Sequence, residues 1–149
     1  GKIDTLITRS SKNRQLMEVG ITKGKKAITN YKTLKVFNIK DIPKISLIEC
    51  ELETGRTHQI RVHMKHIGHP LFNDNEYGGD KILRGTTFSK YKQFVQNCFQ
   101  ILPRQALHAT NLSLRHPKND ELVSFQVDLP ADLHNVVDRW RKYVYHQLQ

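Results

Sequence analysis

The sequence predicts an α+β fold, with a mixed, largely antiparallel sheet and flanking helices. Three patterns lead to this prediction. Alternating apolar and polar residues indicate half-buried strands, whereas apolar residues spaced three or four apart indicate amphipathic helices. Turn residues separate two C-terminal strand segments, which favours an antiparallel hairpin. The 149 residues contain no linker, repeat or low-complexity stretch, so we expect residues 1–149 to lack an internal domain boundary.

The N-terminal part of the chain is predicted to hold two strands. Residues 1–26 are polar and are predicted to be irregular, apart from a short apolar run at residues 16–19. Residues 28–37 mix Thr, Tyr and Val, which is typical of a strand, and a break follows at residues 41–43. Within residues 44–52 apolar residues alternate with glutamates, which predicts a half-buried strand.

A short helix with a cationic face is predicted directly after the second strand. Its apolar stripe falls at i, i+4 and i+7 and consists of Ile60, Met64 and Ile67. Thr57 is the candidate N-cap, while Gly68 and Pro70 end the helix. The opposite stripe carries His58, Arg61 and Lys65.

The C-terminal half is predicted to contain two further helices around a hairpin. A second amphipathic helix is indicated by Phe88, Tyr91, Val95, Cys98 and Leu102. Residues 112–129 predict a β-hairpin with its turn at residues 117–120. A C-terminal helix is expected to begin near residues 130–132. The chain should therefore hold at least three helices.

Positive charge is concentrated in the first fifty residues. The formal net charge is +10, from 24 Lys and Arg against 14 Asp and Glu, and residues 1–50 carry +7 of it. Such an excess attracts polyanions, nucleic acid above all, although a solvated lysine-rich face that binds nothing specific is the alternative. A membrane surface is less favoured, because Gly20 and Gly24 interrupt any amphipathic helix near the basic residues 23–26.

Composition also bears on the compartment. The longest apolar runs are only a few residues, so no segment is expected to span a bilayer. No basic-then-apolar leader opens the chain, and the two cysteines, Cys50 and Cys98, are too few for a disulfide framework. A cytoplasmic protein is the expectation.

Four histidines, at positions 58, 63, 66 and 69, raise the question of a metalloprotein. Zinc enzymes often place two histidines at i and i+4 with a glutamate between them. Here the spacings are five, three and three, no carboxylate lies between the first and the last, and two cationic side chains lie among them. We therefore expect no metal. The sequence also has no G-x-S-x-G, Walker or dinucleotide-binding motif.

The densest group of chemically active residues is the segment 54–63, TGRTHQIRVH. It places two arginines, an amide and an imidazole at the entry of the predicted helix. Free N–H groups at a helix N-terminus favour an anion, and Arg61 can hold a carboxylate or phosphate through two parallel hydrogen bonds. A capped surface helix with ordinary exposed arginines is the alternative on spacing alone.

Four sequence blocks resemble the RluA/RluD-type RNA pseudouridine synthases, in the order in which that family has them. The main block is LETGRTHQIRVHM at residues 52–64, followed by GHPL, Asp74 and YGG within residues 68–79. RQALHA and the following hairpin residues at 104–117 match the next block, and residues 1–31 resemble the segment that precedes the main block. The likeness runs from Gly1 to about Trp140.

The resemblance implies an enzyme that isomerises uridine in RNA to pseudouridine without a metal or organic cofactor. In the family an aspartate within an R-L-D-x-x-T-S-G-like motif is the nucleophile, a tyrosine in a K-x-Y-x-A-like strand packs on the base, and an arginine matching Arg61 pairs with the aspartate. Neither of the first two motifs occurs in residues 1–149. The resemblance therefore covers the C-terminal part of the catalytic domain, and we expect the isolated chain to be inactive, with the acidic partner of Arg61 encoded outside it.

The remaining candidate residues are expected to contact RNA, and the resemblance favours ribosomal RNA of the large subunit. Arg56, His58 and Gln59 are candidates for backbone or neighbouring-base contacts, with surface or capping roles as the alternative. Arg104 and His108 are candidates for the same cleft, while Tyr77, Gly78 and Gly79 are expected to shape a turn. Phosphate-attracting residues at the periphery are Arg14, Lys23, Lys25 and Lys26.

Two consequences follow for the isolated chain. A non-catalytic RNA-binding module that uses the same basic cleft is the alternative function. Strands left without their partners would expose a sheet edge and an apolar face, so we expect self-association through that edge.

Overall fold

The computed structural model describes residues 1–39, 43–83 and 88–147. Four strands form one antiparallel sheet in the order β2-β1-β3-β4, namely β1 (Lys2–Arg9), β2 (Met17–Gly20), β3 (Lys25–Phe37) and β4 (Ile45–Leu52). A separate hairpin pairs β5 (Asn111–Arg115) with β6 (Leu122–Gln126). Three helices, α1 (Gln59–His66), α2 (Ser89–Ile101) and α3 (Ala131–Gln147), complete the fold. The predicted α+β class and the three helices are confirmed.

The N-terminal region differs from its prediction, because residues 1–26 contain two strands rather than irregular chain. In β1, Ile3 and Ile7 lie on one face of the strand and are 6% and 2% exposed. β2 pairs with the C-terminal half of β1, with Met17 opposite Arg9 and Gly20 opposite Leu6. Tertiary burial of two isoleucines thus outweighs the polar composition of the segment.

The two predicted central strands are present, and every strand pair of the described residues is antiparallel. β3 begins three residues before its predicted start and pairs with β1 through its first half and with β4 along most of its length. A register shift between Thr33 and Lys35 marks a bulge in β3. Of the predicted break, residues 41 and 42 lie outside the described residues. The mixed character expected for the sheet is thus not found among these strands.

The first helix begins later than its sequence signals indicate. Thr57 is not the N-cap; that position is held by His58, whose backbone is left-handed (φ 54°, ψ 21°) and whose side chain makes no capping hydrogen bond. The predicted stop at Gly68 is present, with the glycine at φ 80°. The left-handed backbone at His58 turns the chain from β4 into α1 and thereby sets the direction of the His58 side chain.

Three apolar clusters hold these elements together, and the two that lie against the sheet are together called the sheet core. The sheet core lies between β1, β3 and α1 and comprises Ile3, Ile7, Ala27, Val62, Met64, Leu71 and Tyr77. The helical core joins α2, α3 and the end of β3 and comprises Phe37, Tyr91, Val95, Cys98, Leu102, Leu133, Val136, Val137 and Trp140. Trp140 lies at the centre of the helical core, edge-on to Phe94 at 4.9 Å between ring centroids.

The β5–β6 hairpin has one apolar face that stays exposed. Leu112 lies opposite Phe125 and Leu114 opposite Val123, so these side chains share a face. Leu112 and Phe125 are each 59% exposed. A two-stranded sheet is marginal without a covering layer, and this face is consequently a candidate contact surface.

Among the described residues, none of the helices combines the length and the apolar character required to cross a membrane.

Candidate functional site

The loop that enters α1 is fastened to the sheet by Gln59. Its side-chain Oε1 accepts hydrogen bonds from Thr54 Oγ1 (2.8 Å) and from the backbone N–H of Arg56 (2.9 Å). Its Nε2 donates to the carbonyl of Ile28 (2.9 Å) and to Thr29 Oγ1 (3.0 Å). The side chain is therefore fully hydrogen-bonded within the chain, and the residue is only 3% exposed. Within the chain Gln59 positions the loop that presents Arg56, and its contact with RNA stays a prediction.

Arg61 lies on α1 with its guanidinium already paired inside the chain. Nε donates to Asp74 Oδ2 (2.8 Å) and Nη2 to Asp74 Oδ1 (2.7 Å), a bidentate pair, and Nη2 also donates to Glu76 Oε2 (2.6 Å). The side chains of Arg61 and Asp74 are 9% and 0% exposed, whereas that of Glu76 is 46% exposed. The hydrogen bonds that Arg61 donates to Asp74 and then to Glu76 raise the pKa of Arg61, although burial lowers it.

This pairing gives Arg61 two carboxylate partners within the chain that the sequence analysis did not predict, while a nucleophilic partner encoded outside residues 1–149 stays a prediction. Residues 74 and 76 supply two carboxylates, because the turn after α1 folds back over the helix. Nη1 has no hydrogen-bond partner among residues 1–39, 43–83 and 88–147. It is the guanidinium nitrogen left to meet a further anion.

Tyr77 lies between Arg61 and His58. Its ring centroid is 4.7 Å from Arg61 Cζ, and the His58 ring meets it edge-on with 5.6 Å between centroids. Its hydroxyl accepts a hydrogen bond from the backbone N–H of Met17 (3.0 Å) and lies 2.8 Å from His58 Nδ1. Burial raises the pKa of Tyr77. The sequence analysis expects Tyr77 to shape a turn, and it does not predict these contacts with Arg61 and His58.

His63 is a buried residue of the same helix whose contacts with the sheet the sequence analysis did not predict. Its Nε2 lies 2.9 Å from Thr5 Oγ1 on β1, and its Nδ1 lies 2.8 Å from Thr29 Oγ1 on β3. The residue is fully buried, and burial lowers the pKa of its imidazole. Threonines facing inward on two adjacent strands are the signal that could have identified its partners. His63 fastens α1 to the sheet.

Basic side chains line a shallow cleft of about 390 Å³ beside the helix entry. Arg9, Lys25 and Arg56 contribute to its walls. Arg56 is exposed, and its Nε donates to the carbonyl of Lys26 (2.9 Å). Lys26 Nζ lies 3.7 Å from Asp4. The structure therefore brings the predicted residues Arg56 and Lys25 together at this cleft, whereas the side chain of Lys26 lines a neighbouring groove beside Asp4.

The other two peripheral candidates lie in the turns that flank β2. Arg14 is exposed in the β1–β2 turn, where its carbonyl accepts a hydrogen bond from Arg9 Nη1. Lys23 is exposed in the β2–β3 turn. Both are open to solvent and thus to phosphate.

Arg104 makes its hydrogen bonds to two neighbouring segments of the chain. Its Nε and Nη2 pair with the two carboxylate oxygens of Asp132 (2.9 and 3.0 Å), and Nη1 donates to the carbonyls of Gln105 (3.3 Å) and Leu107 (3.0 Å). The guanidinium lowers the pKa of Asp132. Within the chain Arg104 holds the loop 104–107 against the start of α3, and its contact with RNA stays a prediction.

His108 follows that loop and is half-buried. Its Nε2 is buried and has no hydrogen-bond partner in the described part of the chain. Leu107, its neighbour, packs against the part of the sheet core that holds Met64. The loop therefore approaches α1 through apolar packing.

Two histidines of the metal hypothesis have separate partners. His58 faces Tyr77, while His63 lies between two threonines. Within the described ranges, no three His, Cys, Asp or Glu side chains are grouped closely enough to hold a metal ion.

Comparison with known proteins places these features in a family. A profile described as RNA pseudouridylate synthase matches residues 1–66. The chain is 42% identical over 144 residues to an uncharacterized RNA pseudouridine synthase of Chlorobaculum parvum, a match that covers 95% of this chain and 42% of that protein. It is 43% identical over 137 residues to the ribosomal large subunit pseudouridine synthase D of Neisseria meningitidis serogroup A, covering 92% of this chain and 34% of that one.

The fold is shared with a solved structure. Human RNA Pseudouridylate Synthase Domain Containing 1 superposes with a TM-score of 0.60 at 22% identity, over 97% of this chain and 59% of that chain. The chain spans well under half the length of the two curated relatives above, at 42% and 34%. From the sequence matches and the site that the shared blocks build, the chain belongs to the RluA/RluD-type family of RNA pseudouridine synthases.

Proposed function

We propose that this chain is part of an RNA pseudouridine synthase that acts in the cytoplasm on large-subunit ribosomal RNA. The observation that carries the proposal is the 42% identity over 95% of the chain to an RNA pseudouridine synthase, which includes the whole TGRTHQIRVH region. The ribosomal substrate is inferred from relatives such as the ribosomal large subunit pseudouridine synthase D of two Neisseria meningitidis strains. No cofactor enters the proposal.

The nucleophilic aspartate is proposed to come from sequence outside residues 1–149. Asp74 occupies the Nε–Nη2 edge of Arg61, so the incoming carboxylate meets Nη1. Glu76 is half-exposed and holds Nη2 through one oxygen, so it can be displaced without unfolding the turn. A guanidinium at hydrogen-bond distance keeps the nucleophile ionised and oriented, while Asp74 holds the guanidinium still.

The basic rim is proposed to hold the RNA backbone. Arg56 and Lys25 line the cleft beside the entry of α1, and Arg14, Lys23 and Lys26 extend the positive surface around β2. His58 contributes a polar edge at the same helix entry. His108 is proposed as a further RNA contact from the loop 104–108.

Tritium release tests the proposed chemistry. Carbon C5 of uridine loses its hydrogen when it takes the sugar, so RNA containing C5-tritiated uridine releases tritium as pseudouridine forms. We expect release by the product of the full reading frame and none by residues 1–149 alone. Absence of release by both proteins, on large-subunit ribosomal RNA fragments, would contradict the proposal.

Arg61→Lys in the full product tests the role of the guanidinium. Lysine keeps the charge and loses the planar fork, so we expect turnover to fall by about 100-fold or more while RNA affinity stays within about threefold. Arg115→Lys is the matched control, because Arg115 pairs with Asp120 on the exposed hairpin, at 68% side-chain exposure. Near-normal turnover of Arg61→Lys would refute the assignment.

A non-catalytic RNA-binding module is the second candidate function. It is favoured by one observation: Arg61 is paired with two carboxylates within the chain, so the motif is electrostatically complete without a nucleophile. RNA binding by the full product without tritium release would support this second function.

A further inference from the structure

Tyr77 is a buried tyrosine that contacts Arg61 on α1 and His58 at the N-cap of that helix. Its exposed fraction is 2%, and its backbone N–H donates to Asp74 Oδ1 (3.2 Å), the carboxylate oxygen that also holds Arg61 Nη2. Its ring lies against the Arg61 guanidinium and its hydroxyl reaches His58. One side chain therefore sets the position of two others.

The hydrogen bonds around the hydroxyl fix the direction of its proton. The backbone N–H of Met17 can only donate, so the Tyr77 oxygen accepts from it. If His58 Nδ1 also donated to that oxygen, the hydroxyl proton would have no acceptor among the described residues and would lie in a buried site. The favourable arrangement has the hydroxyl donating to Nδ1.

The imidazole of His58 is consequently held in one tautomer. With Nδ1 as the acceptor, the ring proton of the neutral imidazole is on Nε2. Nε2 has no partner in the described ranges, and His58 is partly exposed. The left-handed backbone at His58 is costly for a residue with a Cβ, and the hydrogen bond to Tyr77 helps to hold that conformation.

We propose that Tyr77 is a positioning residue that holds His58 as the Nε2–H tautomer, so that His58 presents a single hydrogen-bond donor at the entry of α1. The acceptor it serves is an RNA phosphate or base oxygen, and this part of the inference rests on the proposed function. The ring of Tyr77 meanwhile supports the guanidinium of Arg61. The tautomer assignment stands on the geometry alone.

Nitrogen-15 NMR of the 149-residue chain tests the tautomer directly. At pH 8 we expect the His58 signals to show a protonated Nε2 and an unprotonated Nδ1, and in Tyr77→Phe we expect averaged signals from a tautomer mixture. Tyr91→Phe is the matched control, because Tyr91 is 4% exposed and its hydroxyl faces the carbonyl of Pro43. An Nδ1–H tautomer in the unaltered chain, or unchanged His58 signals in Tyr77→Phe, would overturn the proposal.

Substitution of His58 tests the proposed hydrogen-bond donor while residue 77 stays a tyrosine. Glutamine places an amide nitrogen near the position of Nε2, whereas asparagine places one near Nδ1 but tolerates the left-handed backbone better. RNA affinity is measured by fluorescence anisotropy with a uridine-containing RNA hairpin. We expect the affinity of His58→Gln to stay within about twofold of that of the unaltered chain. We expect His58→Asn to bind about threefold to tenfold more weakly, as removal of one hydrogen bond predicts.

The outcomes separate this inference from the proposed function. If His58→Asn binds as well as His58→Gln, the donor role is wrong, whatever the enzyme does. If the tautomer is Nε2–H and the two variants rank as expected while the full product releases no tritium, the positioning role holds and the proposed catalysis fails.

Discussion

The buried pair of Arg61 and Asp74 leads to a quantitative prediction about stability. Asp74→Asn removes the charge from a carboxylate whose side chain is fully buried and which accepts two hydrogen bonds from Arg61 and one from Tyr77 N–H. Breaking a buried ion pair from one side costs about 3 to 5 kcal/mol, because it leaves a buried charge uncompensated. Glu76 still contacts Nη2, so we expect a destabilisation near the lower end, about 3 kcal/mol.

Urea denaturation followed by circular dichroism measures this destabilisation as a fall in the free energy of unfolding. The matched control is Glu76→Gln, which removes a carboxylate from the same guanidinium at a side chain that is 46% exposed. Exposed pairs contribute about 0 to 1 kcal/mol, so the control should change stability by no more than that. Equal destabilisation of the two variants, within about 1 kcal/mol, would refute the assignment of Asp74 as the principal partner.

Three further outcomes are expected. Burial lowers the pKa of His63 from its ordinary value of 6.5, so the unfolded chain binds a proton there at a higher pH than the folded chain does. The free energy of unfolding should therefore fall as pH drops below 6.5, and His63→Gln should reduce that dependence on pH. Joint alanine substitution of Lys23, Lys25 and Lys26 should flatten the dependence of log RNA affinity on log salt, by about 0.7 to 0.9 for each phosphate that is no longer neutralised. As the control, joint alanine substitution of Lys90, Lys92 and Lys118 should leave that salt dependence unchanged. Light scattering should show self-association that Phe125→Ser weakens, since its side chain belongs to the exposed face of the β5–β6 hairpin; a monomer at all concentrations would contradict that expectation.

The strands and helices with strong periodicity can be predicted from the sequence, and the N-terminal strands cannot. The apolar positions of α2 and α3 recur at helical spacing over three or more turns, and this local signal survives in the structure. β1 instead mixes Lys2, Asp4 and Arg9 with two inward isoleucines, so that only its pairing with β3 shows it to be a strand. Strand formation depends more on the neighbouring strand than on composition.

The sequence predicts the residue types of the candidate site more accurately than their partners. It identifies Arg61 because an arginine at a helix entry suits an anion, yet the pairing of Arg61 with Asp74 spans a turn whose path the sequence does not specify. From the sequence alone, the polar groups of Gln59 and Arg104 look free to bind a ligand. Their hydrogen bonds are made to backbone and side-chain groups brought close only by folding, namely those of Ile28, Thr29 and Asp132.

The length of β3 has a consequence for how the chain opens. The strand contributes Ala27 to the sheet core and Phe37 to the helical core, and it carries a bulge between those ends. Cores that share one strand can open separately, each with its own free energy of opening. Amide hydrogen exchange detects such separate openings. The first half of β3 lies beneath α1, and its amides can therefore keep exchanging slowly while α2 and α3 open. Fluctuations of the helical core then need not disturb the geometry around Tyr77.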